Sequence, residues 1–157
     1  MTEERLQSFY RYMNALYDMS NSIKEYEGVP RKYGTDDLLY MAEVHTLELI
    51  GKKERTTTSE LSQMTNKTLS AISQTVDKLA KKDLVMKTRN ENNLRQIFIV
   101  LTEKGKKVYD FHEALDLENY LSYLEDMADV SEEEIANTAK VIRKTNEILQ
   151  SRMKELV

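Results

Sequence analysis

The side chains with the greatest chemical reach in this sequence lie between residues 52 and 107. That stretch holds 13 Lys and Arg against 6 Asp and Glu, a surplus of seven positive charges. Residues 1–51 hold 5 against 9, and residues 108–157 hold 5 against 12, so a chain of net charge −4 encloses a basic centre. Attraction to phosphate follows the local field rather than the whole-chain balance, so this centre suits a nucleic acid. Within it, Ser70, Ala71, Ser73, Gln74, Asp77 and Lys78 fall on the outer side of a helical pattern whose inner side is Leu69, Ile72, Val76 and Leu79. Hydroxyl and amide groups both donate and accept hydrogen bonds, which is what reading a base edge requires. Covalent chemistry finds little material here. The chain has no Cys and only two histidines, His45 and His112, and it contains neither a Gly-rich phosphate loop nor an HExxH pair. No enzyme is expected.

The elements that must position these groups can be read from periodicity. Leu6, Phe9, Tyr10, Met13, Leu16, Tyr17, Ile23 and Tyr26 recur mostly at three- and four-residue steps, which predicts a long amphipathic helix over 4–26. Gly28, Pro30 and Gly34 break it. Thr35 is placed to cap a second helix over about 36–50, with Asp36 and Asp37 in its first turn, Leu38, Leu39, Met41, Val44, Leu47 and Ile50 inside, and Gly51 as its stop. A short helix opens at Ser59, with Leu61 and Met64 inward, and ends at Asn66. Another runs from Thr68 to about Lys82. Residues 84–87 and 96–100 have strand character, and the polar stretch between them is rich in Asn, which predicts a hairpin. Thr102 caps a further helix reaching about Met127, and Ser131-Glu132-Glu133-Glu134 is a capping box for the last. No apolar run approaches the roughly 20 residues of a membrane span. The N-terminus lacks a signal-peptide core, so a cytoplasmic protein is expected.

Two short helices, a turn and a charged hairpin form the order of a winged helix-turn-helix. The stretches SELSQMTNKTLSAISQTVDKLAKKDLV and LRQIFIVLTEKG carry a resemblance to the MarR (multiple antibiotic resistance regulator) family of bacterial winged-helix repressors, and it extends over nearly the whole chain. Leu79-Ala80-Lys81-Lys82-Asp83-Leu84-Val85 follows the family's Leu-x-x-x-Gly-Leu-[Val/Ile] with Asp83 in place of Gly, and Asp tolerates the left-handed conformation that Gly supplies. Asn93-Leu94-Arg95 keeps the Arg of the family's Asp-x-Arg wing and loses the acid. The resemblance implies a mainly α fold with a small β-hairpin wing, organised as one domain over 1–157. Residues 35–107 would be the winged helix-turn-helix, and 1–34 with 108–157 the dimerisation helices. Met13, Leu16, Leu115, Leu117, Tyr120, Leu121, Leu124, Ile142, Leu149, Met153 and Leu156 would form the seam between two copies. The alternative is an all-α monomer folded back on itself.

The same resemblance implies roles for individual residues on double-stranded DNA. Ser70, Ser73 and Gln74 would read bases in the major groove. Thr57, Thr68, Lys67, Lys78, Lys87 and Arg89 would hold phosphates, and Arg95 would enter the minor groove. The implied protein is a homodimeric repressor of a palindromic operator, relieved by a small effector. An aromatic effector would sit in the cleft between the dimer helices and the winged module, with Tyr10, Tyr17, Tyr40 and Tyr109 as walls. No cofactor is required. The family's zinc-sensing branch implies instead a zinc site from Glu43, His45 and His112, joined by a carboxylate near Glu25 or Glu27. Glu43 and His45, two residues apart on a helix, point about 200° apart, which opposes a shared ion. A winged-helix module that binds another protein and no DNA is the alternative from a different class.

Overall fold

The computed structural model describes residues 2–90 and 93–156, and side chains throughout these except those of 90 and 93–95. Two compact units are present, Met1–Leu115 and Asp116–Val157.

In the first unit, α1 (Glu3–Glu27) is capped by Thr2, has Glu3 and Glu4 in its first turn, and buries none of its residues. The chain then forms a minimal antiparallel hairpin, β1 (Arg31–Lys32) with β2 (Leu38–Leu39), before α2 (Met41–Lys53). This corrects the expected helix start. Asp36 is drawn to Lys32 (2.8 Å), while Asp37 accepts from Lys104 (2.8 Å) and from the Thr35 hydroxyl (3.2 Å), so this trio is committed to turn and long-range contacts. The cap of α2 falls instead at Tyr40, whose N–H donates to the Glu43 carboxylate at 2.9 Å. Gly51 does not stop the helix; it lies inside the last turns of α2 and allows the Tyr109 ring to approach.

Next come α3 (Thr58–Thr65) and α4 (Leu69–Lys81), then β3 (Val85–Asn90) paired antiparallel with β4 (Asn93–Leu101). Asn66 ends α3 at φ 53 and Asp83 follows α4 at φ 58, both in the left-handed region. Asp83 thus takes the conformation for which Gly is the usual choice. Ile72, Val76 and Leu79 of α4 are buried with Leu47 and Ile50 of α2, Leu61 of α3, Leu84, Val85, Ile99 and Val108. Burying such a side chain contributes about 1.5–3 kcal/mol. Leu38, Met64 and Leu69, expected inside, are exposed: Leu38 lies in a two-residue strand, Met64 in the last turn of α3 and Leu69 at the first position of α4, where the apolar pattern runs past the edge of the core.

α5 (Glu103–Asp126) begins in this unit. Thr102 caps it through Gly105 N–H (3.0 Å) and also donates to Asp83 O (2.6 Å). Gly105 lets the helix approach the wing root, since a Cβ there would lie 1.9 Å from Leu84 O. The second unit holds the rest of α5 and α6 (Glu132–Glu155), which opens with the Ser131–Glu134 capping box and buries no residue. No helix among the described residues is long and apolar enough to cross a membrane.

Candidate nucleic-acid interface and histidine cluster

α3 and α4 are fixed by their caps. The Thr57 hydroxyl accepts Glu60 N–H (3.2 Å), and the Glu60 carboxylate accepts Thr57 N–H (2.8 Å) and the Thr56 and Thr57 hydroxyls (both 3.0 Å). Those bonds, the Thr57 backbone bond foremost, hold the Glu60 carboxyl below its ordinary range. Thr57 is therefore engaged in capping as well as standing at the helix entry. In the turn, the Ser62 hydroxyl donates to Lys67 O (2.6 Å), and Thr68 caps α4 by accepting Ala71 N–H (3.2 Å). With Ile72, Val76 and Leu79 locked inward, Ser70, Gln74, Asp77 and Lys78 are exposed and Ser73 is half-buried. Lys67 and Thr68 are exposed at the start of the same face.

The wing is strapped to this pair of helices. Thr56 exchanges backbone bonds with Ile99 (3.1 and 2.7 Å), and the Arg55 guanidinium lies over the Phe98 ring at 4.9 Å. Lys87 of β3 donates to Asp77 of α4 at 2.7 Å, which holds the Asp77 carboxyl below its ordinary range. Lys87 and Asp77 are both solvent-facing, so this pair sets position rather than adding much stability. Arg89 is exposed on the same strand. The side chain of Arg95 lies outside the described residues.

A second cluster forms on α2 and α5. The His45 and His112 rings stand 5.5 Å apart, and Tyr33 meets His112 edge-on at 5.7 Å. One donor atom each from His45, Glu48 and His112 lie within 4.8 Å of one another. Glu43, expected with them, is elsewhere. It is buried, accepts Lys82 at 2.8 Å, and bonds back to Tyr40 N–H. Glu48 takes its place, being three residues from His45 and therefore on the same face of α2. That spacing was the signal to follow. Glu48 is also ion-paired with Lys52. Glu27 of α1 borders the same cavity of about 330 Å³ with His45, Glu48, Thr65 and Lys67.

Of the four tyrosines expected to wall an effector cleft, one lines a cavity among the described residues. Tyr10, Tyr17 and Tyr40 are exposed and border neither this cavity nor the larger one, whereas Tyr109 lines the larger, about 520 Å³, with Gly51, Glu54, Leu101 and Asp110.

Comparison with known proteins agrees with this geometry. The MarR family model matches residues 39–97, which run from the end of β2 into β4. The HTH-type transcriptional regulator PchR of Bacillus subtilis is 22% identical over 111 residues, covering 71% of this chain and 66% of its own length, so the chain spans just under two thirds of that relative. Among solved structures, the adhesin competence repressor AdcR of Streptococcus pyogenes superposes with a TM-score of 0.70 at 21% identity, covering 88% of this chain and 97% of that one. FabT of Streptococcus pneumoniae, solved in complex with DNA, gives 0.68 at 24% identity, with 93% and 98% covered. ZitR of Lactococcus lactis, described as a zinc-responsive MarR family member, gives 0.62 at 20% identity, with 94% and 97% covered.

Proposed function

From the premise that this chain belongs to the MarR family of winged-helix regulators, we propose that it is a homodimeric repressor that binds a palindromic site on double-stranded DNA and is released by a small effector. The observation that carries the reading is the outer face of α4. Ser70, Ser73, Gln74 and Lys78 present donors and acceptors on a helix anchored from behind by Ile72, Val76 and Leu79, beside a basic hairpin. Such a helix fits the major groove, where hydroxyl and amide groups discriminate bases by about 1–3 kcal/mol per good contact. Lys67, Lys78, Arg89 and Arg95 would serve phosphates or the minor groove and carry affinity without sequence.

A second copy is expected because of what the outer helices leave uncovered. α1 exposes Phe9, Tyr10, Tyr17 and Ile23, and the second unit exposes Leu117, Tyr120, Leu121, Leu124, Leu149 and Met153. Large apolar side chains exposed on a helix face mark an interaction surface when they gather into a patch. Two copies would set two α4 helices about 34 Å apart, the separation of half-sites one helical turn apart.

Fluorescence anisotropy on the chain's own upstream DNA across a salt series tests the reading. Expected are sequence-selective binding with a steep salt dependence, loss of selectivity in Gln74→Ala, and a slope reduced by about one in Lys78→Ala. Absence of specific binding would sink it and favour a module that binds protein.

A zinc-responsive member is the second reading, favoured by the His45, Glu48 and His112 donors. Two imidazoles and a carboxylate are a chemically fitting set for zinc, and Glu27 borders the same cavity. Bound zinc would link α2 to α5 and would draw Glu48 away from Lys52. The test is thermal stability with zinc and with chelator. A zinc-dependent rise that disappears in both His45→Ala and His112→Ala supports it, and zinc indifference removes it.

A further inference from the structure

We propose that the larger cavity, in the notch between the end of α2, the root of β4 and the first turns of α5, is a binding site for an organic cation, an ammonium carried on an apolar body. The cavity measures about 520 Å³ and is lined by Gly51, Glu54, Val100, Leu101, Lys106, Tyr109 and Asp110. That volume lies in the range of small-molecule sites, which combine an apolar wall with a few polar groups. The apolar wall is Val100, Leu101 and the Tyr109 ring. The ring is seated on bare backbone, since a Cβ at Gly51 would come within 2.7 Å of its Cδ2 atom. Gly51 thus leaves the ring room to lie against the end of α2.

The charges select the sign of the ligand. The carboxylates of Glu54 and Asp110 both border the notch, and among the described residues neither is in a hydrogen bond or a salt bridge; Asp110 only feels the charge of Lys106 at longer range. Three of the cations near the notch are occupied, while Lys53 and Lys107 beside it are exposed to solvent, where their charge is largely screened. Lys106 is bonded to Glu103 at 2.8 Å, Lys52 is paired with Glu48 and Glu113, and Arg55 covers Phe98. α2 ends here at Lys53, so its negative dipole end adds to the two carboxylates. An ammonium gains from all of these and from the face of Tyr109. A bare divalent ion does not fit as well, because the group of three close ligand donors among the described residues is the His45 cluster and not this one.

The consequence for regulation rests on the DNA-binding reading above. Val100 and Leu101 are the root of the wing, so a ligand here touches the strand that carries it. The binding test involves no DNA and stands or falls apart from that reading.

The probe is benzyltrimethylammonium, titrated into ¹⁵N-labelled full chain, with benzoate and benzyl alcohol as anionic and neutral counterparts. The cation should move the amides of Gly51, Glu54, Leu101 and Asp110 with a millimolar dissociation constant. Removing both carboxylates in Glu54→Gln/Asp110→Asn should weaken it about tenfold, two partly screened charge contacts. Both positions are exposed, so the double variant keeps the fold, which its spectrum verifies. Equal binding of benzoate or benzyl alcohol, undiminished binding by the double variant, shifts confined to other residues, or no saturation each overturns the proposal.

Discussion

Replacing Gly105 with alanine adds one methyl group at the contact between α5 and the wing root. The new Cβ would stand 1.9 Å from Leu84 O and 2.9 Å from the carbonyl carbon. A carbon and a carbonyl oxygen approach to about 3.3 Å at closest, so the first turn of α5 has to retreat by roughly 1 Å or more. The obstacle is backbone, which cannot rotate away like a side chain. Three bonds hang on this contact: Thr102 N–H to Leu84 O (3.1 Å), the Thr102 hydroxyl to Asp83 O (2.6 Å), and Lys104 to Lys82 O (2.8 Å). Losing two of them costs about 1 kcal/mol each, and overpacking adds about 1–3 kcal/mol. Alanine returns about 0.5–1 kcal/mol through its better helix propensity. The expected net loss is therefore about 2–4 kcal/mol, a fall in Tm of about 5–15 °C for a chain of this size. Urea and thermal unfolding followed by circular dichroism measure it, with Gly28→Ala as comparison. The nearest atom to a Cβ at Gly28 is Lys24 O at 3.2 Å, so that change should stay within about 1 kcal/mol. If Gly105→Ala is as stable as the parent within about 0.5 kcal/mol, the reasoning about this contact is wrong.

Three further outcomes are expected. Asp83→Gly should be nearly neutral, whereas Asp83→Val should lose about 1–2 kcal/mol, because φ 58 is a conformation that β-branched residues resist; equal stability of the two would contradict the left-handed turn. Glu60→Gln should be less stable than the parent at neutral pH, and the difference should vanish as pH falls. The folded pKa of Glu60 is depressed, so its contribution is present above the ordinary glutamate value and is lost as pH drops through the folded one; a gap that persists at the acid end counts against the capping role. Asp77→Asn should release Lys87 to phosphate and steepen the salt dependence of DNA binding by about 0.9 in the logarithmic slope. Adding Lys87→Gln should cancel that gain, and an unchanged slope in Asp77→Asn alone would mean that Lys87 already contacts DNA.

Signals that act over three or four residues were readable. Ser131 with Glu134, Thr68 ahead of α4, Asn66 at the close of α3 and Asp83 in the left-handed turn all behave as their local chemistry dictates. The apolar spacing of α4 named its buried face, and thereby its exposed one, apart from Leu69. The Thr35-Asp36-Asp37 cap failed for a reason no local rule contains. Asp37 is claimed by Lys104, far along the chain, and the flanking residues pair as β1 and β2.

The sequence by itself determined the number and order of the helices, the wing and the basic centre, though not the bounds of α2, because periodicity, capping and charge are properties of neighbouring residues. Only the tertiary structure decided which distant groups meet. It brought His45 against His112 with Glu48, sent Glu43 to Lys82, tied Lys87 to Asp77, and opened a notch beside Tyr109. The physical reason is that a helix fixes the direction of each side chain, while its partner across the fold is set by how whole faces pack. A single residue is along for that choice and does not make it.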